Sequence, residues 1–243
     1  LGKLKERISP ENVSSLLTFH YQPLIKEFYE MQSRFLSMRY KIHQSIETSN
    51  IVISLVKSIH LAVLRMRERD LDHDISLNNF FSNLNNLKNK EAIAHRIVGI
   101  VETTGIPKET VRRKLKKLLK EGFVNSYNSK GYYWDLTSKR QENFILIMKN
   151  DISAISRLVC NISKFLNINL THKMVEEEIE SQFSFYFYHF LNCQLNWLRM
   201  WQNKIKDVDL IFITMQVLIP TLKYSDRNAI SKNKDLDNIY TLI

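Results

Sequence analysis

The stretch TGIPKETVRRKLKKLLKEGFV, Thr104 to Val124, decides the reading of this chain. Ile97, Ile100 and Val101 make a short apolar helical face ahead of it, and Gly105 can end that helix because glycine takes a positive φ at no steric cost. Pro107 presets a helical φ at the start of a second helix, where its missing N–H is not needed. That helix runs to about Glu121, and Gly122 is placed to end it in the left-handed conformation. Val111, Leu115, Leu118 and Leu119 form one core-facing stripe, while Glu109, Arg112, Arg113, Lys116 and Lys120 fall on the other side. Two helices joined by a tight turn, the second strongly basic, follow from these residues.

After Gly122 the period changes. Phe123 to Tyr127 and Tyr132 to Leu136 are rich in aromatic and β-branched residues, and Asn128, Ser129, Lys130 and Gly131 separate them with turn chemistry, so a β-hairpin is expected. Helix, tight turn, basic helix and hairpin is the order of a winged helix-turn-helix, whose second helix enters the major groove and whose wing touches backbone or minor groove. The first helix of its three-helix core is expected at Ile51 to Arg69, opening after the capping residues Thr48, Ser49 and Asn50. An Asp/Asn/Ser-rich connection with one short helix lies behind it.

Charge points the same way. The 243 residues carry a net charge of +10. Residues 88 to 141 hold thirteen basic and five acidic residues, eight of those ten charges. Lys108 to Lys120 alone has seven basic residues against Glu109. An anionic partner is expected, and nucleic acid is favoured over lipid because the apolar stripe is needed to seat the helix on its neighbour. A solvated basic face is the bland alternative, and the flanking turn and hairpin argue against it.

The string Thr104 to Val124 resembles the turn and recognition helix of winged-helix bacterial transcription regulators of the catabolite activator protein type, over about 45 residues with its hairpin. The resemblance rests on Lys108, Glu109, Thr110, Val111 and Arg113 after the turn. It implies that Lys108, Glu109 and Arg113 face base edges while Thr110 helps position the helix on phosphate. The chemistry agrees: Arg can donate two hydrogen bonds to guanine and Glu can accept from cytosine, each worth roughly 1–3 kcal/mol of discrimination. Arg112, Lys116, Lys117 and Lys130 suit phosphate contacts that carry no sequence information. Upstream, scarce Gly and a helical pattern do not resemble a cyclic-nucleotide β-roll.

The expected class is therefore mainly α, a winged helix-turn-helix of three helices plus a β-hairpin embedded between helical regions. Residues 1–49 read as N-terminal helices, 50–140 as the DNA-binding domain, and 141–243 as a C-terminal helical domain. The N-terminal part reads as helix in two pieces, broken or kinked at Pro23; Phe144 to Leu166 and Val175 to Lys206 as one helix each; and Leu210 to Leu222 as another, ended near Pro220. Phe35, Leu36 and Met38 are echoed by Trp197, Leu198 and Met200, and Ile53, Leu55 and Ile59 by Ile213, Met215 and Ile219. Two readings stay open: helical patterns imitating one another, or a duplication whose second winged-helix unit is cut off at the C-terminus. The chain opens on Leu1 without a signal-peptide order, which reads as a fragment or processed product.

Other classes fare poorly. No phosphate loop, nucleophile elbow or HExxH is present, and the seven histidines are scattered, so no catalytic residues are assigned and no enzyme or cofactor is expected. Asp70, Asp72, His73 and Asp74 lack calcium-loop or zinc spacing and read as a solvated loop; His189 and Cys193 have no third ligand, so no metal is expected. Cys160 and Cys193 match no disulfide scaffold, and the longest apolar run, Leu210 to Leu222, is short of the roughly 20 residues of a membrane span. A cytoplasmic protein without membrane partner is expected. Eight aromatics between Phe183 and Trp201 suit a core, a dimer interface, or an effector pocket near Tyr186, Trp197 and Trp201. The expected function is a sequence-specific double-stranded-DNA-binding transcription regulator; a homodimer is one use of the flanking helices, and a palindromic operator is expected if the chain dimerises. The rivals are a winged-helix replication initiator and a helical interaction scaffold with an acidic partner.

Overall fold

The computed structural model describes residues 9–87, 90–128 and 131–232. Its architecture is mainly α-helical with one two-stranded antiparallel sheet. In chain order come α1 (Pro10–Phe19), α2 (Tyr21–His43), α3 (Ile46–Arg69), α4 (Phe80–Asn86), α5 (Ile97–Thr104), α6 (Lys108–Lys120), β1 (Val124–Tyr127), β2 (Gly131–Trp134), α7 (Ser138–Phe165), α8 (His172–Ser181), α9 (Phe183–Ile205) and α10 (Val208–Lys232). Residues 233–243, with the helically spaced Leu236, Ile239, Tyr240 and Ile243, lie outside the described residues.

Several helix ends differ from the sequence reading. The N-terminal break falls at His20 and not at Pro23, which sits in the first turn of α2, where a missing N–H costs no helical bond. Helix α3 starts earlier than expected: Ser45 caps it, its side chain accepting the Thr48 N–H at 3.3 Å, while Thr48, Ser49 and Asn50 are buried inside the helix. Helix α7 begins at Ser138, before Phe144. The expected helix from Val175 to Lys206 is two helices that meet at Gln182. The interruption lets Ile75 and Leu77 bond to the main chain there, Leu77 N–H to Glu180 O at 2.9 Å and Ser184 N–H to Ile75 O at 3.1 Å. Helix α10 runs through Pro220 to Lys232 instead of ending there.

The elements group into two compact units. One comprises residues 1–37, 151–176 and 211–243. Its core holds Leu24, Phe35 and Leu36 of α2, Ile152 of α7, and Ile211 and Met215 of α10. Polar pairs fasten its helices: Gln216 Nε2 donates to Ser33 Oγ at 2.9 Å, and Lys223 pairs with Glu30 at 2.8 Å.

The other unit, residues 38–150 and 177–210, is built on α3. This helix packs along α9 and touches α4, α5 and β2. On α9 the residues facing inward recur every three or four positions, Phe183, Phe187, Leu191, Leu195 and Leu198, all nearly inaccessible to solvent. His60 of α3 is fully buried in a nest of Phe80, Phe183 and Phe187. Among the described residues, α3 alone is long and apolar enough to cross a membrane, and 72% of its most apolar window is buried inside the protein, which marks a core helix. The longest uninterrupted apolar run in the sequence lies elsewhere, because serines and His60 interrupt α3. In the fold, Ser54 and Ser58 satisfy themselves by donating to Ile51 O and Ser54 O at 2.7 and 3.2 Å.

Candidate nucleic-acid interface

The turn between α5 and α6 is fixed by three residues. Gly105 ends α5 with φ 74°, its N–H donating to Val101 O at 2.8 Å. Thr104 is fully buried, its hydroxyl donating to Ile100 O at 2.7 Å and accepting the Ile106 N–H at 3.3 Å. Pro107 stands as the N-cap of α6, one position earlier than first helical residue, with φ −56°. From α9, Arg199 donates to Glu102 O at 2.8 Å and ties the end of α5 to the helix behind it.

Helix α6 has two clean faces. Val111, Leu115 and Leu118 have no solvent-accessible surface, while Leu119 is half-buried at the stripe's edge. Lys108, Glu109, Arg112, Arg113, Lys116, Lys117 and Lys120 are exposed, and Thr110 is half-buried. Arg112 Nη1 donates to both oxygens of Glu109 at 2.7 and 2.8 Å, and Lys117 pairs with Glu121 at 3.7 Å. Exposed pairs of this kind are worth about 0–1 kcal/mol, so a phosphate or a base can displace them. Lys108, Arg113, Lys116 and Lys120 make no ion pair among the described residues. Lys114 behaves differently: it turns inward, paired with Glu47 at 3.2 Å and donating to Ser45 Oγ and Thr48 Oγ1 at 2.9 and 3.2 Å. Its position, three after Val111 and four before Leu118, was the available signal.

The C-terminal end of α6 closes on Gly122, φ 68°. Gly122 N–H donates to Leu119 O at 3.1 Å and Phe123 N–H to Leu118 O at 2.9 Å, the paired bonds of a Schellman cap. Arg140 of α7 adds to the cap, its Nη1 donating to Glu121 O and Gly122 O at 2.7 and 2.9 Å, with its guanidinium 4.0 Å from the Phe123 ring centre. His43 meets the same ring edge-on at 4.7 Å. Burial first, and then Arg39, Arg140 and Lys117, push the His43 pKa down to about 4. Sequence reasoning missed Arg140, since nothing local marks a side chain that caps a helix nineteen residues upstream.

The hairpin pairs Val124 with Trp134, Asn125 with Tyr133, Ser126 with Tyr132 and Tyr127 with Gly131. Each strand is one residue shorter than the expected span: Phe123 belongs to the cap, and the in-register bond from Asp135 N–H to Phe123 O at 3.2 Å closes the hairpin. A third segment joins through His95, whose N–H and C=O exchange 2.8 Å bonds with Tyr132. The His95 ring bonds to Ser58 of α3, and Gly131 leaves room for Ala94, whose Cβ would lie 3.0 Å from a Cβ at that position. Lys130, expected at the tip, lies outside the described residues.

The aromatic run on α9 divides by role. Phe183 and Phe187 are core, Phe185 is exposed, Tyr186 donates to Glu178 at 3.0 Å, and Trp197 and Trp201 meet edge-on at 6.2 Å. A cavity of about 380 Å³ lies elsewhere in the same unit, between α2, α3, α7 and the hairpin, and Tyr186, Trp197 and Trp201 do not line it. Among the described residues no group of three or more His, Cys, Asp or Glu could hold a metal ion. Both cysteines are free thiols, Cys160 buried and Cys193 exposed. The chain matches no family model, no curated protein and no solved structure.

Proposed function

We propose that the chain is a sequence-specific double-stranded-DNA-binding transcription regulator, whose residues from α3 to β2 form a winged helix-turn-helix with α6 as the reading helix. The observation that carries this reading is the split of α6: a stripe without solvent exposure seats it, and an exposed ridge of Lys108, Arg112, Arg113, Lys116, Lys117 and Lys120 lies opposite. The His95–Tyr132 bridge supports the winged-helix part, because it adds a segment preceding α5 to the edge of the hairpin. Lys108, Glu109 and Arg113 then read bases, and Thr110, Arg112, Lys116 and Lys117 hold phosphate.

Fluorescence anisotropy with duplex DNA across a salt series tests it. About five phosphate contacts per subunit weaken affinity roughly 10²–10³-fold between 50 and 200 mM salt. Arg112→Glu with Arg113→Glu abolishes binding while circular dichroism stays helical. A flat salt response, or a folded double variant that binds like the wild type, removes the DNA reading and leaves a scaffold for an acidic protein. Arg113→Ala relaxes preference at one base pair in a selected site and costs about 1–3 kcal/mol there.

A further inference from the structure

We propose that the 380 Å³ cavity between α2, α3, α7 and the hairpin binds a small carboxylate with an apolar body, the head group held by Arg39, His43 and Arg140. The volume falls at the small end of the range for ligand pockets, roughly 300–1,000 Å³, which fits one compact molecule. Its walls are apolar, including Val52, Ile53, Phe144 and Met148, and exposed Ile42 and Leu146 stand among the lining residues.

The charged side chains of its described lining share one sign. Arg39 and Arg140 line the cavity, and no carboxylate lines it among the described residues. His43 is more than nine-tenths buried, and its Nδ1 has no hydrogen-bond partner among the described residues. Burial and the neighbouring guanidiniums hold this imidazole neutral at pH 7, so it offers a hydrogen bond without a charge. A guanidinium has five N–H donors, and the bonds of Arg140 to Glu121 O and Gly122 O engage Nη1 alone. The planar fork of a carboxylate matches such donors in pairs. A cation is repelled here, and a neutral apolar molecule leaves the imidazole nitrogen unpaired. No α6 side chain lines the cavity, so this site does not rest on the DNA reading.

The probes are 4-phenylbutyrate and its alcohol, 4-phenylbutanol, titrated calorimetrically into the full chain. They share an apolar body and differ in the head group. The acid is expected to bind saturably and at least tenfold more tightly than the alcohol. Asn143, exposed and part of the cavity lining, provides a variant that spares the core. Asn143→Asp places a carboxylate on the wall and is expected to weaken the acid at least tenfold while leaving the alcohol unchanged. Equal affinity for acid and alcohol, no saturable binding of the acid, or an Asn143→Asp variant that binds the acid as before each overturns the assignment.

Discussion

Two lysines two positions apart on α6 have opposite surroundings, and they separate folding from binding. Lys114 is 15% exposed at its side chain and spends its ammonium on Glu47, Ser45 and Thr48, at the start of α3. Lys114→Met removes those bonds and leaves the Glu47 carboxylate without its partner, a loss of about 1–3 kcal/mol. Thermal denaturation of this variant therefore shifts downward, while the salt slope of DNA binding is unchanged. Lys116 is exposed and makes no ion pair among the described residues, so Lys116→Met leaves the melting temperature within error. Its salt slope falls by about one unit, the signature of one lost phosphate contact. If both variants lower the slope equally, Lys114 leaves Glu47 on binding and the inward assignment fails. The charge count over Lys108 to Lys120 treats the two lysines alike, and only the helical period sets them apart.

The elements depend on glycines for two different reasons. At Gly105 the φ of 74° is the constraint, since an added Cβ meets only the Arg199 stem at an ordinary 3.5 Å. Gly105→Ala is expected to cost about 1–2 kcal/mol from left-handed strain. At Gly131 the constraint is space, because an added Cβ comes within 3.0 Å of Ala94 Cβ. Gly131→Ala pushes the hairpin away from His95, and amide exchange at Tyr132 and His95 speeds up while α6 amides stay protected. Uniform loss of protection would instead mean that hairpin and helices open as one unit. The turn, the two-faced α6 and the hairpin were legible because glycine, proline and the 3.6-residue period act locally. The start of α3 was not: Ser45, Thr48, Ser49 and Asn50 are all capable caps, and the choice falls on Ser45 where Asp209 accepts the Ile46 N–H at 2.9 Å. The break at Gln182 depends on main-chain partners a hundred residues upstream, which local pattern does not reveal. The internal echo is uneven in burial: Leu36 and Leu198, and Leu55 and Met215, are buried alike, whereas Ile53 is 4% and Ile213 56% exposed. For the site, the cationic ridge could be read from spacing, whereas Arg140 and the cavity arise only when α7 meets the end of α6.

Across the whole molecule, two buried imidazoles tie stability to pH. His60, stacked on Phe80 at 4.9 Å, has no hydrogen-bond partner on either nitrogen among the described residues, and burial pushes its pKa down to about 3. His43 is lowered to about 4 by burial and by nearby arginines. Unfolding returns each ring to an ordinary pKa near 6.5, so below that value the unfolded chain binds more protons than the folded one. Stability is then full above about pH 6.5 and falls as the pH drops, by up to about 1.4 kcal/mol per pH unit for each ring. The decline from His43 levels off near pH 4 and that from His60 near pH 3. At pH 5 the contribution of each ring amounts to a loss of roughly 2 kcal/mol, a large share of a typical 5–15 kcal/mol. His60→Leu replaces a ring that makes no hydrogen bond with an apolar side chain of similar size, so it removes one titration without leaving a polar partner behind. Urea unfolding at pH 7.5 and at pH 5 measures the difference. The wild type is expected to lose about 2 kcal/mol more than His60→Leu between these two conditions. An equal loss in both proteins would mean that His60 takes up its proton without unfolding the aromatic nest around it.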